Sequence, residues 1–398
     1  MRARELGIVI GEGRPGPNNA ITDVPGVRVG HATIVRGEGP LVVGQGPVRT
    51  GVTIVVPRDG DPWTQPVFAG SHTLNGNGEL TGLEWIRETG LLAGAIAITN
   101  THSVGVVHDA LIAHAARAHP PGAPFWSLPV VGETYDGTLN DINGFHVRPE
   151  HVDAALAAAT DGPIEEGGVG GGTGMICHEF KGGIGTASRV LPDDRGGWTV
   201  GVLVQANYGR RGLLRVDGVP VGRAIPTSEV PSPYPDRGTG AGGGGAGGGV
   251  SRTPGGGVSR GADRAGAGSI IIIVATDAPL LPDQCRRVAQ RAGLGLARAG
   301  GLGATSSGDL FLCFATGNRD IPQAEVEPRG RLVGTVRMVI DPALDPLFEA
   351  TVEATEESIV NALVTAKTMT GRDGIVANAL PHDRLIEVIA RHGRAAAE

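Results

Sequence analysis

The segment "GADRAGAGSIIIIVA" (residues 261–275) joins a long glycine-rich tract to a run of isoleucines through one serine, Ser269. The nearly all-apolar run 269–276 predicts a strand that is covered on both faces. The preceding Gly268 permits strained backbone angles and leaves its carbonyl open to attack. Attack there by the Ser269 hydroxyl, followed by hydrolysis, would free an N-terminal serine whose α-amine, with a pKa of about 7.7 to 8.0, could act as its base. The alternative is an ordinary polar residue at a strand end.

The tract before this serine is unusual in composition. Residues 238–268 contain 15 of the 67 glycines in the chain, which is typical of a flexible loop. A linker between two domains is the alternative. Because the tract leads directly into a strand predicted to be buried, we favour a loop within a single domain that comprises residues 1–398.

Overall composition indicates a folded protein and excludes several classes of partner. Of the 398 residues, 40% are hydrophobic and 19% are charged, unlike disordered chains. The net charge of -7 and the absence of a basic run argue against nucleic acid and anionic membranes as partners. The N-terminal apolar run is too short for a signal peptide or a membrane span. Cys177, Cys285 and Cys313 are widely spaced and odd in number, so we expect reduced thiols and a cytoplasmic protein.

Runs of β-branched residues indicate strands, and apolar residues at helical spacing indicate helices. The predicted strands are 51–57, 94–100, 199–207, 269–276, 309–316 and 334–340. The predicted helices are 104–119, 149–160, 281–293 with Gly293 at its end, and a C-terminal helix that begins at Asp345 and Pro346 and stops before Gly371. This mixture without a strict βαβ repeat favours a layered α/β or α+β architecture.

Polar residues beside three predicted strands could assist a nucleophile. Ser307 and Asp309 precede one strand and could relay and orient a proton, although a polar turn is the alternative. Asn207 ends another strand, and its amide could donate to an oxyanion; an ordinary strand-ending turn is the alternative. Glu133 and Tyr135 are two residues apart and would share one face if extended. One of them could bind a substrate ammonium and the other an oxyanion, unless Glu133 is a surface residue.

Two other motifs favour structural roles. The segment "GGVGGGTGM" (167–175) departs from G-x-G-x-x-G at its last position, so a backbone turn lining the active-site cleft is favoured over a nucleotide site. Four histidines occur close together without an H-E-x-x-H motif, so we expect solvated or core histidines and no metal. They are His102, His108, His114 and His119.

Seven motifs together resemble the DmpA family, which comprises L-aminopeptidase/D-Ala-esterase-amidases and β-aminopeptidases and is also called the P1 or S58 peptidases. The resemblance extends nearly end to end, with the motifs in order and the Gly-Ser junction in place. The motifs are "NNAITDVPGVRVGH" (18–31), "SHTLNGNGELTG" (71–82), "VVGETYDG" (130–137), "GGVGGGTGM" (167–175), "VLVQANYG" (202–209), "GSIIIIVATDAPLLP" (268–282) and "SSGDLFLCFAT" (306–316).

The resemblance implies an α+β fold, a four-layer αββα sandwich similar in shape to N-terminal-nucleophile hydrolases but differently connected. It also implies self-cleavage between Gly268 and Ser269 into an α chain (1–268) and a β chain (269–398), without a cofactor. The processed αβ units are expected to form a homotetramer. Carried over by position, the family's site residues are Ser269 as nucleophile, Ser307 and Asp309 as proton-relay partners, Asn207 as oxyanion donor, and Glu133 and Tyr135 near the substrate amine. Asp309 is a position at which some relatives have glutamate.

The implied function is that of a serine aminopeptidase or amidase. It would release N-terminal residues from small peptides, amides or esters through an acyl-enzyme on Ser269. One alternative is an acyltransferase resembling ornithine acetyltransferase, although its expected nucleophile is threonine. Another alternative is a non-catalytic binding protein in which the glycine tract is only a linker.

Overall fold

Two β-sheets stack face to face between two layers of helices in the computed structural model, which describes residues 1–119, 122, 125–234, 268–319, 321 and 333–392. The strands are β1 (Arg28–Arg36), β2 (Val48–Val56), β3 (Val67–Gly76), β4 (Leu91–Leu92), β5 (Ile96–Asn100), β6 (Val130–Thr134), β7 (Ile176–Cys177), β8 (Phe180–Lys181), β9 (Gly183–Val190), β10 (Thr199–Asn207), β11 (Ser269–Thr276), β12 (Gly308–Ala315), β13 (Met369–Thr370) and β14 (Val376–Ala377). The helices are α1 (Leu83–Thr89), α2 (Val104–Ala118), α3 (Pro149–Ala157), α4 (Val221–Ala224), α5 (Pro282–Arg298), α6 (Asp345–Val364) and α7 (His382–Arg391).

The two main sheets contain four and six strands. The smaller has the order β1-β2-β5-β6, and the larger has the order β4-β3-β12-β11-β10-β9. Neighbouring strands are antiparallel except for the pairs β5–β6 and β11–β12. Helices α5 and α6 cover the outer face of the larger sheet, and α2 and α3 cover that of the smaller. The arrangement is the four-layer αββα sandwich that the resemblance implied.

The isoleucine run of β11 is buried on both faces, as its composition predicted. Ile271 and Ile273 belong to the apolar core between the two sheets. Ile270 and Ile272 belong to the core between the larger sheet and its helices. The central position of β11 therefore explains why almost no polar residue follows Ser269 in this strand.

Glycine allows the helices to lie directly on the strands. A Cβ atom on Gly185 of β9 would overlap the Ser358 carbonyl oxygen of α6, and one on Gly30 of β1 would overlap the Ala155 carbonyl oxygen of α3. Part of the high glycine content therefore reflects close packing between backbones.

The predicted end of α5 was wrong. This helix continues through Gly293 to Arg298. A Cβ on Gly295 would lie 2.6 Å from the Thr355 Cβ, so glycine in this helix serves its close approach to α6. Helices α2, α3 and α6 were predicted correctly but end somewhat earlier than expected, at Ala118, Ala157 and Val364.

The predicted strand 334–340 was also wrong. These residues pair with no strand in the described part of the chain, and Val336, Met338 and Ile340 are exposed. Asn318 instead binds both the N–H and the carbonyl of Arg337. A segment rich in β-branched residues forms a β-strand only where a neighbouring strand can hydrogen-bond with it.

Except for Gly268, the predicted loop at 238–268 lies outside the described residues. No helix among those described is both long and apolar enough to cross a lipid bilayer.

Candidate active site

Three strands of the larger sheet bring the predicted nucleophile and its neighbours to one edge. Asn207 ends β10 and pairs with Ser269, which begins β11. Ser269 also pairs with Gly308, which begins β12. The Gly308 N–H donates to the Ser269 hydroxyl oxygen over 3.1 Å. The nucleophile candidate is therefore held, buried, by the ends of two neighbouring strands.

Gly268 packs against the end of β10. A Cβ at this position would overlap the Asn207 carbonyl oxygen and lie 2.7 Å from the Tyr208 Cα. The backbone of Gly268 is not in the left-handed region. Strained backbone angles were the expected reason for glycine at this junction, but the structure gives a different one: there is no space for a side chain.

Ser307 and Asp309 lie on either side of Gly308. Ser307 donates to the Asp309 carboxylate over 2.6 Å, so the aspartate reaches its partner despite being shorter than glutamate. Burial raises the pKa of Asp309, and hydrogen bonds from Ser307 and the Ile270 N–H oppose that shift. Among the described residues, no hydrogen bond joins the Ser307 and Ser269 hydroxyls. In the uncut chain, Gly308 links the two serines: it follows Ser307 in the chain, and its N–H donates to the Ser269 hydroxyl.

The Asn207 amide is fixed at both ends. Its Oδ1 accepts from the Ile176 N–H over 2.8 Å, and its Nδ2 donates to the Tyr135 carbonyl over 3.0 Å. These contacts set which end of the amide is nitrogen. Because an amide nitrogen has two hydrogens, one N–H can still donate to another acceptor.

Tyr135 contacts Asn207 through its backbone. Strand β6 ends at Thr134, so Tyr135 lies beyond it and does not continue its alternation. A Cβ on Gly137 would overlap the Tyr135 hydroxyl. At the site itself, Tyr135 contributes its backbone carbonyl to Asn207, a contribution that the sequence did not predict.

Glu133 is buried, which excludes the alternative of a surface residue. Its carboxylate accepts from the Glu79 N–H over 3.1 Å and from the Thr101 hydroxyl. A Cβ on Gly78 would lie 3.1 Å from Glu133 Oε1 and 3.2 Å from the Gly308 Cα. A single glycine thus separates this carboxylate from the residue that binds the Ser269 hydroxyl. Burial raises the pKa of Glu133, while its hydrogen-bond donors oppose the shift.

Some contributors to the site were not predicted from sequence. Gly78 and Glu79 belong to the motif "SHTLNGNGELTG", but only the fold shows that this segment reaches Glu133. The glycine motif 167–175 is buried except at the half-buried Gly168 and Val169, and it leads directly to Ile176, whose N–H binds Asn207. The motif forms a 3-10 turn at Gly170–Gly172. No group of histidine, cysteine or acidic residues suited to a metal occurs in the described ranges.

Comparisons with known proteins relate the whole chain to a peptidase family. A sequence model described as "Peptidase family S58" matches residues 19–377. The β-peptidyl aminopeptidase BapA of Sphingosinicella microcystinivorans is 48% identical over 396 residues, which cover 100% of this chain and 93% of that protein. A solved β-aminopeptidase from a Burkholderia species superposes with a TM-score of 0.86 at 52% identity, covering 99% of each chain.

A second solved structure connects this fold with a reaction class. The L-aminopeptidase D-Ala-esterase/amidase of Ochrobactrum anthropi matches with a TM-score of 0.83 at 40% identity, covering 99% of each chain. It is described as a prototype of the serine aminopeptidases and as a new variant of the Ntn hydrolase fold.

Proposed function

This chain belongs to peptidase family S58 and is a serine-type aminopeptidase, and from that premise we propose that Ser269 is its nucleophile and that it cuts its own Gly268–Ser269 bond. The observation that carries the proposal is the meeting of three strand ends, where Ser269 pairs with both Asn207 and Gly308. Because Ser269 is paired on both sides, the Gly268 carbonyl is held in a fixed position relative to the Ser269 hydroxyl.

Maturation would proceed by an N-to-O acyl shift. The Ser269 hydroxyl attacks the Gly268 carbonyl, the C–N bond breaks, and the nitrogen takes up the hydroxyl proton, which leaves an ester. That ester already carries a free α-amine on Ser269, and its hydrolysis by water gives a Gly268 carboxylate and restores the Ser269 hydroxyl. That amine is the base that activates the same hydroxyl toward substrates.

In the cut enzyme, the hydroxyl would attack a substrate carbonyl while the α-amine takes its proton. The second Nδ2 hydrogen of Asn207 would donate to the developing oxyanion. The α-amine then returns the proton to the leaving amine, and water hydrolyses the acyl-enzyme. The hydrogen-bonded pair of Ser307 and Asp309, which flanks Gly308, would orient the α-amine.

Glu133 would confine the reaction to substrates with a free N-terminal amine. A buried carboxylate that is one glycine away from Gly308 can pair with a substrate ammonium next to the bond being cleaved. Internal peptide bonds would leave it unpaired, at a cost of several kcal/mol. We therefore propose small peptides, amino-acid amides and esters as substrates. Because two of the relatives are named for β-peptides, we expect β-amino amides among them.

We further propose that the processed units assemble as a homotetramer. Exposed apolar side chains at Val333, Met338 and Ile340 offer surface for such an assembly. Sedimentation of the processed enzyme would test this directly, since a monomeric unit at micromolar concentration contradicts it. We place the enzyme in the cytoplasm, where its three free, buried cysteines would remain reduced.

Intact mass spectrometry tests the central proposal. The purified protein should contain a fragment that begins at Ser269, and Ser269→Ala should remain full length and inactive. Ser306→Ala is the matched control, because this serine lies outside the proposed relay, and it should still be cut. Folded wild-type protein that stays full length on prolonged incubation would contradict self-cleavage.

A further inference from the structure

One of the two lysines of this chain is buried beside the candidate active site. The chain has 34 Lys and Arg residues, of which only Lys181 and Lys367 are lysines. Lys367 is exposed, whereas Lys181, at the end of β8, is fully buried. Within the described ranges, the Lys181 ammonium forms no ion pair with a carboxylate. Burying an ammonium without a counter-ion is costly, so a specific use for it is expected.

The Lys181 ammonium is enclosed by backbone carbonyls. Its Nζ donates to the carbonyl oxygens of Gly172 at 3.2 Å, Met175 at 3.0 Å and Gly182 at 2.7 Å. An ammonium has three hydrogens, so each carbonyl can receive one. The planar fork of an arginine side chain could not match three carbonyls around one point. The carbonyl cage therefore explains why lysine occurs here in a chain that has arginine at nearly all its other cationic positions.

One of these carbonyls is joined to the proposed oxyanion donor by a single peptide group. The Met175 carbonyl accepts from Lys181, and the N–H of the same peptide, on Ile176, donates to Asn207 Oδ1 over 2.8 Å. Hydrogen bonds in series polarise one another. A positive charge at one end of this series draws electrons away from the amide at the other end, which makes the remaining Asn207 N–H a stronger donor.

We propose that Lys181 is a positioning residue for the oxyanion donor, fixing the Met175–Ile176 peptide and polarising the Asn207 amide through it. This inference rests on the proposed role of Asn207. It adds the requirement that Lys181, which is about one peptide group away from the Asn207 amide, is protonated. A neutral lysine amine has only two hydrogens and a lone pair, so it cannot donate to all three carbonyls. Deprotonation would loosen the cage and remove the polarising charge together.

The protonation state of Lys181 should therefore appear in the pH dependence of turnover. Burial lowers the pKa of Lys181 to about 7 from 10.5, and the Cys177 thiol opposes this shift. Cys177, on β7, is the titratable group that faces Lys181 among the described residues, and burial raises its own pKa to about 12. The three carbonyls favour the ammonium. As pH rises through the pKa of Lys181, kcat should fall, with a midpoint at about 7 and well below the 10.5 of an ordinary lysine.

Three variants of the processed enzyme test this inference. Lys181→Met should lower kcat by about 10², the scale of losing one oxyanion donor, with little change in KM. Lys181→Gln keeps two donors and should retain more activity, but neither variant should show the alkaline fall of kcat. Lys367→Met is the matched control and should behave as wild type. A wild-type kcat in Lys181→Met, or an unchanged alkaline fall in Lys181→Gln, would overturn the proposal.

A double-substitution cycle separates this inference from the proposed role of Asn207. If Lys181 acts through Asn207, Lys181→Met should lower kcat by less than about threefold in an Asn207→Ala background. A decrease in kcat as large as in the wild-type background would show that Lys181 does not act through Asn207. A normal kcat in Asn207→Ala alone would instead overturn the oxyanion assignment. If Lys181→Met does not fold or process, Lys181→Gln and the wild-type profile suffice, since a wild-type kcat that stays flat to about pH 10 also overturns the proposal.

Discussion

Ser307 and Asp309 form a buried hydrogen bond of 2.6 Å across Gly308, whose own N–H donates to the Ser269 hydroxyl. A carboxylate that accepts from a hydroxyl increases the ability of that hydroxyl to accept a proton in turn. The pair is thus arranged to orient the α-amine that cleavage would create.

We expect Asp309→Asn to lower kcat by about 10², because an amide can accept the Ser307 hydrogen bond but supplies no charge. Asp309→Glu should retain most activity, since a cavity of about 30 Å³ beside Ser307 and Asp309 has room for a longer side chain. Asp341→Asn, at an exposed carboxylate, is the control. Steady-state kinetics on processed protein checks this, and equal kcat values in Asp309→Asn and wild type would remove Asp309 from the relay.

Gly268→Ala should slow or abolish self-cleavage, because a Cβ at this position would overlap the Asn207 carbonyl oxygen and displace the bond to be cut. Gly212→Ala is the matched control, since a Cβ there meets nothing within 4 Å. The fraction cut after fixed times, measured by intact mass, distinguishes the two variants. Cleavage of Gly268→Ala at the wild-type rate would show that the junction tolerates a side chain.

Asn207→Ala should lower kcat by about 10² to 10³, the usual cost of losing an oxyanion donor. The substitution also leaves the Ile176 N–H and the Tyr135 carbonyl without their partner. Processing and thermal unfolding must therefore be measured alongside kcat. A processed, folded variant with normal turnover would be incompatible with the proposed role of Asn207.

An N-acetylated amino-acid amide should be hydrolysed at least 10²-fold more slowly than its free-amine parent, because the buried Glu133 would remain unpaired. Glu133→Gln should remove most of this preference by weakening only the free-amine substrate. Glu84→Gln, at an exposed helical position, should preserve it. If both substrates react equally well with wild-type enzyme, the exopeptidase mechanism is wrong.

The pH dependence of substrate affinity gives an independent test of Glu133. Burial raises the pKa of this carboxyl, so it becomes neutral at a higher pH than an ordinary glutamate does. As pH falls through this raised pKa, KM for the free-amine substrate should increase, while KM for the N-acetylated substrate should not. A parallel change in both KM values would argue that another group titrates.

Much of the candidate active site was predictable because it lies at the ends of strongly apolar strands. The composition of β11 and β10 indicated two buried strands, and their ends located Ser269 and Asn207. Strands β3 and β9 were missed because threonine, serine and glycine interrupt their apolar residues. Such glycines reflect the close approach of a helix to the sheet, a tertiary feature without a local signal.

The surroundings of the site depend on contacts between distant segments. The sequence suggested that Glu133 is a site residue, but not that Thr101 and the Glu79 N–H bind its carboxylate. The cage around Lys181 is composed of backbone carbonyls, which every residue has, so no side-chain pattern could indicate it. Only the rarity of lysine in this chain could have drawn attention to that position.

The order of strands in the larger sheet has a consequence for the molecularity of folding. Strands β11 and β12 are inserted between β10 and β3, both of which precede the proposed cut. After cleavage, the two polypeptides would share one sheet and remain associated through its hydrogen bonds and apolar core. Once unfolded, however, they would have to meet again by diffusion, so folding would change from a first-order process in the precursor to a second-order process in the mature enzyme. Dilution would then oppose recovery, and the uncut precursor alone would regain its structure at a rate independent of concentration.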